Sequence, residues 1–214
     1  MKTTILFIFM SVLTCTINAG DSKYREAMAK SLEKLNHALS REDFQACGSG
    51  FERIALAEKN RWLPYYYASY AWIMVSFSET DPNKKDPILD KAQSLLDSAF
   101  AHTSNESEVH VLQALLYPSR IMVDPMNRGM LYMDKCFQSL ESARNINPEN
   151  PRIYFLLGTL TANIPESMGG GIEKARENFL MAQNKFGTFL PTDELMPVWG
   201  SEANEAELAK LPAR

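Results

Sequence analysis

A trio of residues recurs four times along this chain: an Ala or Cys, a large apolar residue four positions on, and a small or apolar residue three beyond that. The instances are Cys47/Phe51/Ile54, Ala92/Leu96/Ala99, Cys136/Leu140/Ala143 and Ala175/Phe179/Ala182. Offsets of four and three place each trio on one stripe of an α-helix, because the helix turns once every 3.6 residues. Successive trios end 45, 44 and 39 residues apart. That period belongs to arrays of helix pairs, in which each unit buries its apolar face only against its neighbours.

Eleven residues past the first three trios stand Tyr65, His110 and Tyr154, each opening another apolar run. Four positions further, on the same face, come Ser69, Ala114 and Gly158. Small side chains there let two helices approach closely, while Trp72 and Tyr117 fill the space one turn on and Thr161 takes that place in the last unit. The pattern predicts helices near 22–40, 43–57, 63–77, 87–101, 107–119, 129–145, 151–163 and 171–185. Between the two helices of each later pair, SETDPNKKDP, PSRIMVDPMNRG and NIPESMGGG carry the Pro, Gly, Asn and Asp of turns, so long loops are expected inside those hairpins. The segment SEANEAELAKL is expected to form a closing helix within 200–211, with Ser201 as its N-cap.

The stretch NPENPRIYFLLGTLTANIPESMGGGIEKARENFLMA, from Asn147 to Ala182, resembles a tetratricopeptide (TPR) repeat. Its Pro148, Tyr154, Leu157, Gly158, Ala175, Phe179 and Ala182 match signature positions of that family. The resemblance covers roughly residues 22–186 and implies an all-α fold. The expected form is a short solenoid of about four TPR-like hairpins, near 22–57, 63–101, 107–145 and 151–185, with a capping helix. The GGG linker and the PVWG before the last helix also resemble exported TPR proteins associated with TRAP-type solute transport.

Residues 1–19 read as a signal peptide: Lys2, then the uncharged run ILFIFMSVL, then the small Ala19. The run is shorter than the ~20 residues of a membrane-spanning helix, and charges and prolines interrupt every later apolar stretch. A periplasmic or extracellular protein of residues 20–214 is expected, with lipidation at Cys15 the less favoured course because Thr14 fits poorly before a lipidated Cys. The 22 basic and 26 acidic residues give a formal charge of −4, or −5 once Lys2 is removed with the signal. Without clustered Lys and Arg there is no footing for nucleic acid.

No catalytic site, metal site or cofactor is expected. The three histidines, His37, His102 and His110, match no ligand spacing. Cys47 and Cys136 share one repeat position two units apart, too far for a disulfide, and read as buried thiols. Gly169-Gly170-Gly171 lacks the Lys-Ser/Thr of a phosphate-binding loop, and DPMNRG from Asp124 to Gly129 offers too few oxygens for calcium. Acidic pairs such as Glu106/Glu108 sit at helix starts, where they favour the dipole without chemistry.

Aromatic surface remains. WLPYYYASYAW carries six aromatic residues within eleven. Tyr66 and Tyr70 fall on a stripe shared by Val111 and Leu115 in the next unit and Phe155 in the last. The TPR resemblance implies that this stripe lines a concave groove for a peptide or protein partner, and ordinary core is the competing reading. A small apolar ligand, held by an accessory component of a solute transport system, is the alternative function. An open groove would favour the peptide, and an enclosed aromatic pocket the small molecule.

Overall fold

In the computed structural model, residues 10–103 and 105–212 are described, with side chains from residue 20 onward. The N-terminal part of the signal reading, residues 1–9, and the side chain of Cys15 lie outside that description. Among the described residues the helices are α1 (Met10–Asn36), α2 (Arg41–Ala57), α3 (Trp62–Ser78), α4 (Pro82–Ala101), α5 (Ser107–Val123), α6 (Pro125–Ile146), α7 (Pro151–Ala162), α8 (Ile172–Thr188) and α9 (Ser201–Lys210). No strand occurs among them, and consecutive helices pack as antiparallel pairs. No helix among the described residues is long and apolar enough to cross a membrane.

The repeated trios form the seams of these pairs. All their members except the half-buried Ile54 are buried. Opposite them, the small residues act as expected. The Ser69 hydroxyl donates to the Ala92 carbonyl at 2.8 Å, joining α3 to α4. The Ala114 carbonyl accepts the Cys136 thiol at 3.2 Å, joining α5 to α6. A Cβ on Gly158 would lie 2.5 Å from Phe179 Cδ1, so α7 meets α8 where only glycine fits.

Two expected loops are helical instead. Asp81 and Asp124 cap α4 and α6, and Pro82 and Pro125 occupy the first helical position, where a missing N–H costs nothing. Pro87 and Pro118 then sit inside α4 and α5 rather than ending them. Pro118 deprives the Ala114 carbonyl of its helical donor, and the Cys136 thiol supplies a replacement. Arg128, in the supposed turn, instead grips Asp86 through two bonds of 2.8 Å. A long loop survives only before α8. There the amides of Gly170 and Gly171 bond to Pro165 and Thr161 carbonyls and are not free for an anion. The last helix starts at Ser201 itself, one residue earlier than a Ser201 cap would give, with Gly200 in the cap position.

Cys47 and Cys136 are both buried and unpaired. His110 is half-buried and meets the Phe100 ring edge-on, with centroids 4.9 Å apart, and burial lowers its pKa. Among the described residues no cluster of His, Cys, Asp and Glu could hold a metal ion.

Candidate functional site

The first helices of the pairs, α3, α5 and α7, adjoin one another, and across them runs the segment between α8 and α9, residues 189–200. This strap begins at the last hairpin and reaches the first. Its Asp193 takes a bidentate grip from Arg25 of α1, at 2.9 and 3.1 Å. The buried Leu195 side chain enters the core, and the Leu195 carbonyl accepts the Tyr67 hydroxyl at 2.7 Å. Trp199 donates its ring N–H to the Tyr66 hydroxyl at 2.8 Å and stacks on Tyr70, with centroids 5.4 Å apart.

A buried charged cluster fastens the strap from below. Arg152 of α7, fully buried, donates to the Pro197 carbonyl and, at 3.0 Å, to Glu108 of α5. Its guanidinium lies 4.9 Å from the Phe189 ring centroid and 5.3 Å from that of Trp199. Asn150 donates to the same Glu108 oxygen at 2.9 Å and also to Ser107. Burial pushes the Glu108 carboxyl up to about 7, against the pull of Arg152. Gly200 turns the strap into α9 with φ 110°, and a Cβ there would meet the Phe186 ring at 2.9 Å.

Strap and solenoid together bound a cavity of about 520 Å³. Its wall is made by Leu32 and Leu35 near the end of α1, Phe44 at the start of α2, Tyr70 of α3, and Met196 and Trp199 of the strap. That volume lies within the range of small-molecule sites, about 300–1,000 Å³, and Asn36, Glu194, Ser201 and Glu202 add polar groups beside the apolar and aromatic part of the wall. The Tyr70 hydroxyl has no hydrogen-bond partner among the described residues. Burial pushes this phenol up to about 12, so it is neutral at physiological pH.

The five stripe residues fare differently. Tyr70 is half-buried and lines the cavity. Tyr66 is fully buried beneath the strap, and Val111 is fully buried in the packing of the later units. Leu115 is half-buried between the two halves of the core, and Phe155 packs toward Phe179 with ring centroids 6.4 Å apart. Sequence reasoning missed Met196, Phe44 and the α1 leucines. A signal for the strap was present: Leu195, Met196, Val198 and Trp199 are more apolar than a solvated loop requires.

No protein-family model matches the chain, and no curated protein sequence matches it. Similar solved structures include a thermophilic TPR protein of Thermus thermophilus, which aligns over 91% of this chain and 93% of its own, with a TM-score of 0.55 and 16% identity. The fold is TPR-like. The HusA haemophore from Porphyromonas gingivalis aligns over 86% of this chain and 90% of its own, with a TM-score of 0.78 and 26% identity. The solenoid read from the repeats is therefore the fold adopted.

Proposed function

We propose that this protein is an exported, non-catalytic carrier of a flat, largely apolar small molecule, held in the cavity between the strap and the first two hairpins. The carrying observation is that the chain's own residues 189–200 already lie on the first-helix face that a partner peptide would need. What is left is an aromatic-walled recess, the feature that favours a small ligand over a peptide. The likeness to a haemophore makes haem the first candidate. A porphyrin would lie along the wall that the Tyr70–Trp199 pair forms, against the ring surface that their mutual stacking leaves open to the cavity. Tyr70 is the stripe residue placed to touch it, and its unpartnered hydroxyl supplies one polar contact.

Haemin and metal-free protoporphyrin titrated into the mature protein should each give saturable absorbance changes. Truncating one of few aromatic anchors typically costs about 2 kcal/mol or more of binding, so Trp199→Ala should weaken capture roughly thirtyfold, while Tyr70→Phe should change it far less. Absence of saturable binding by both compounds, or a Trp199→Ala variant that binds like the parent, would reject this reading. Tight capture of a peptide would restore the groove alternative.

Export rests on residues 1–19. Mass spectrometry of protein recovered from outside the cytoplasm should place the mature N-terminus within a few residues of Gly20. A retained Met1, or lipid on Cys15, would contradict it.

A further inference from the structure

A second recess, of about 470 Å³, lies between α1 and α2, away from the strap. Its floor is aliphatic and small, with Ala27, Ala46, Gly50 and Ile54 beside the Cys47 thiol. Around it stand Lys23, Lys30, Lys34 and Arg53. None of these four has a carboxylate within ion-pair distance among the described residues. Elsewhere the protein pairs its arginines: Arg25, Arg41, Arg61, Arg120, Arg128 and Arg152 all meet carboxylates. Glu58, the one acidic side chain on the recess wall, is engaged by Arg61 at 3.5 Å. A chain of net negative charge therefore gathers around one apolar hollow four cations that have no carboxylate within ion-pair distance among the described residues.

We propose that this α1/α2 recess is a second binding site, for a free fatty acid, with the acyl chain on the aliphatic floor and the carboxylate among Lys23, Lys30, Lys34 and Arg53. The shape favours a chain over a disc. Lys23 and Lys34 are eleven residues apart on α1, about 16 Å along the helix axis, so the recess is an elongated channel between two helices. Its one aromatic wall residue, Tyr24, is buried and has one ring face covered by Arg61 at 4.0 Å, so it offers little surface on which a planar ligand could stack. The cations surround a hollow rather than project from a flat face, which suits one molecule better than a membrane. Each buried methylene contributes about 0.8 kcal/mol, so affinity should climb with chain length.

The experiment is calorimetric titration of the mature protein with sodium laurate below its micelle concentration. Saturable one-to-one binding is expected, with caprylate weaker. The doubly reversed variant Lys30→Glu/Arg53→Glu, whose changes are at exposed positions, should keep the parent's melting temperature within a few degrees and bind laurate at least tenfold more weakly. Ala46→Phe, also exposed, should block the channel without altering charge. Trp199→Ala should leave laurate binding unchanged, which separates this site from the strap cavity. Four outcomes would overturn the proposal: no saturable laurate binding, equal binding by dodecyltrimethylammonium, binding only to anionic vesicles with free laurate inert, or loss of haemin and laurate together in the charge-reversed variant.

Discussion

Arg152→Ala is expected to lower folding stability by about 3–5 kcal/mol, the usual result of removing one partner from a buried ion pair. The Arg152 side chain is fully buried, and its loss leaves Glu108, itself 5% exposed at the side chain, without a cation. The same guanidinium holds the Pro197 carbonyl, so residues 189–200 should also detach. Amide hydrogen exchange in that segment should accelerate well beyond the change in the α5/α6 hairpin. The effect should depend on pH in a defined direction. Burial raises the folded pKa of Glu108 from 4.5 to about 7, with Arg152 opposing. An acid raised on folding binds more protons in the folded than in the unfolded state between those two values. Its stabilising contribution is complete below about pH 4.5 and is lost as pH rises through about 7. Without Arg152 the carboxyl rises further, so the variant's deficit should be larger at about pH 8 than at about pH 5. Urea denaturation at both pH values measures this. Midpoints matching the parent at both would show that the cluster does not anchor the strap.

Gly158→Leu should cost about 3 kcal/mol, the upper end for an overpacked core. The reason is geometric: a bare Cβ already falls 2.5 Å from Phe179 Cδ1, and Phe179 is 1% exposed with nowhere to retreat. For a domain of this size such a loss corresponds to a fall in melting temperature of roughly 6–12 °C. Gly187→Ala is the control, since nothing lies within 4 Å of a Cβ built there. In a helix that change should be neutral or favourable, by up to about 1 kcal/mol. Pairing Gly158→Leu with Phe179→Ala should recover part of the loss, because the second change empties the space the leucine needs. Scanning calorimetry of the parent and these variants suffices. If Gly158→Leu melts with the parent, the α7/α8 contact is not as close as described.

The pairing of helices was written into the sequence at short range. Cys136, Leu140 and Ala143, or Ala175, Phe179 and Ala182, reveal a buried seam because residues three and four apart share a helix face. Ser69, Ala114 and Gly158 reveal close approach because nothing larger fits. Such information is local and repeats, so four copies of a weak pattern identify a TPR-like array. Helix limits were harder to read, since Pro82 and Pro125 start helices whereas Pro87 and Pro118 are tolerated within them. Whether a proline breaks a helix depends on what replaces its lost hydrogen bond, and at Pro118 that replacement is the thiol of a residue on the next helix.

The candidate site belongs to another category. Tyr66 and Tyr70 stand on neighbouring turns of α3, yet what covers them is Trp199, more than 120 positions away. No periodicity links a non-helical strap to the helices it crosses. Its course is set by Asp193 meeting Arg25, Pro197 meeting Arg152, and the burial of Leu195, contacts that exist only once the hairpins have stacked. The sequence alone thus determined the repeating unit, because each helix pair is specified by residues close along the chain. The tertiary structure alone decided which part of the first-helix face is covered and where a cavity remains, because that depends on one unrepeated segment folding back across several units.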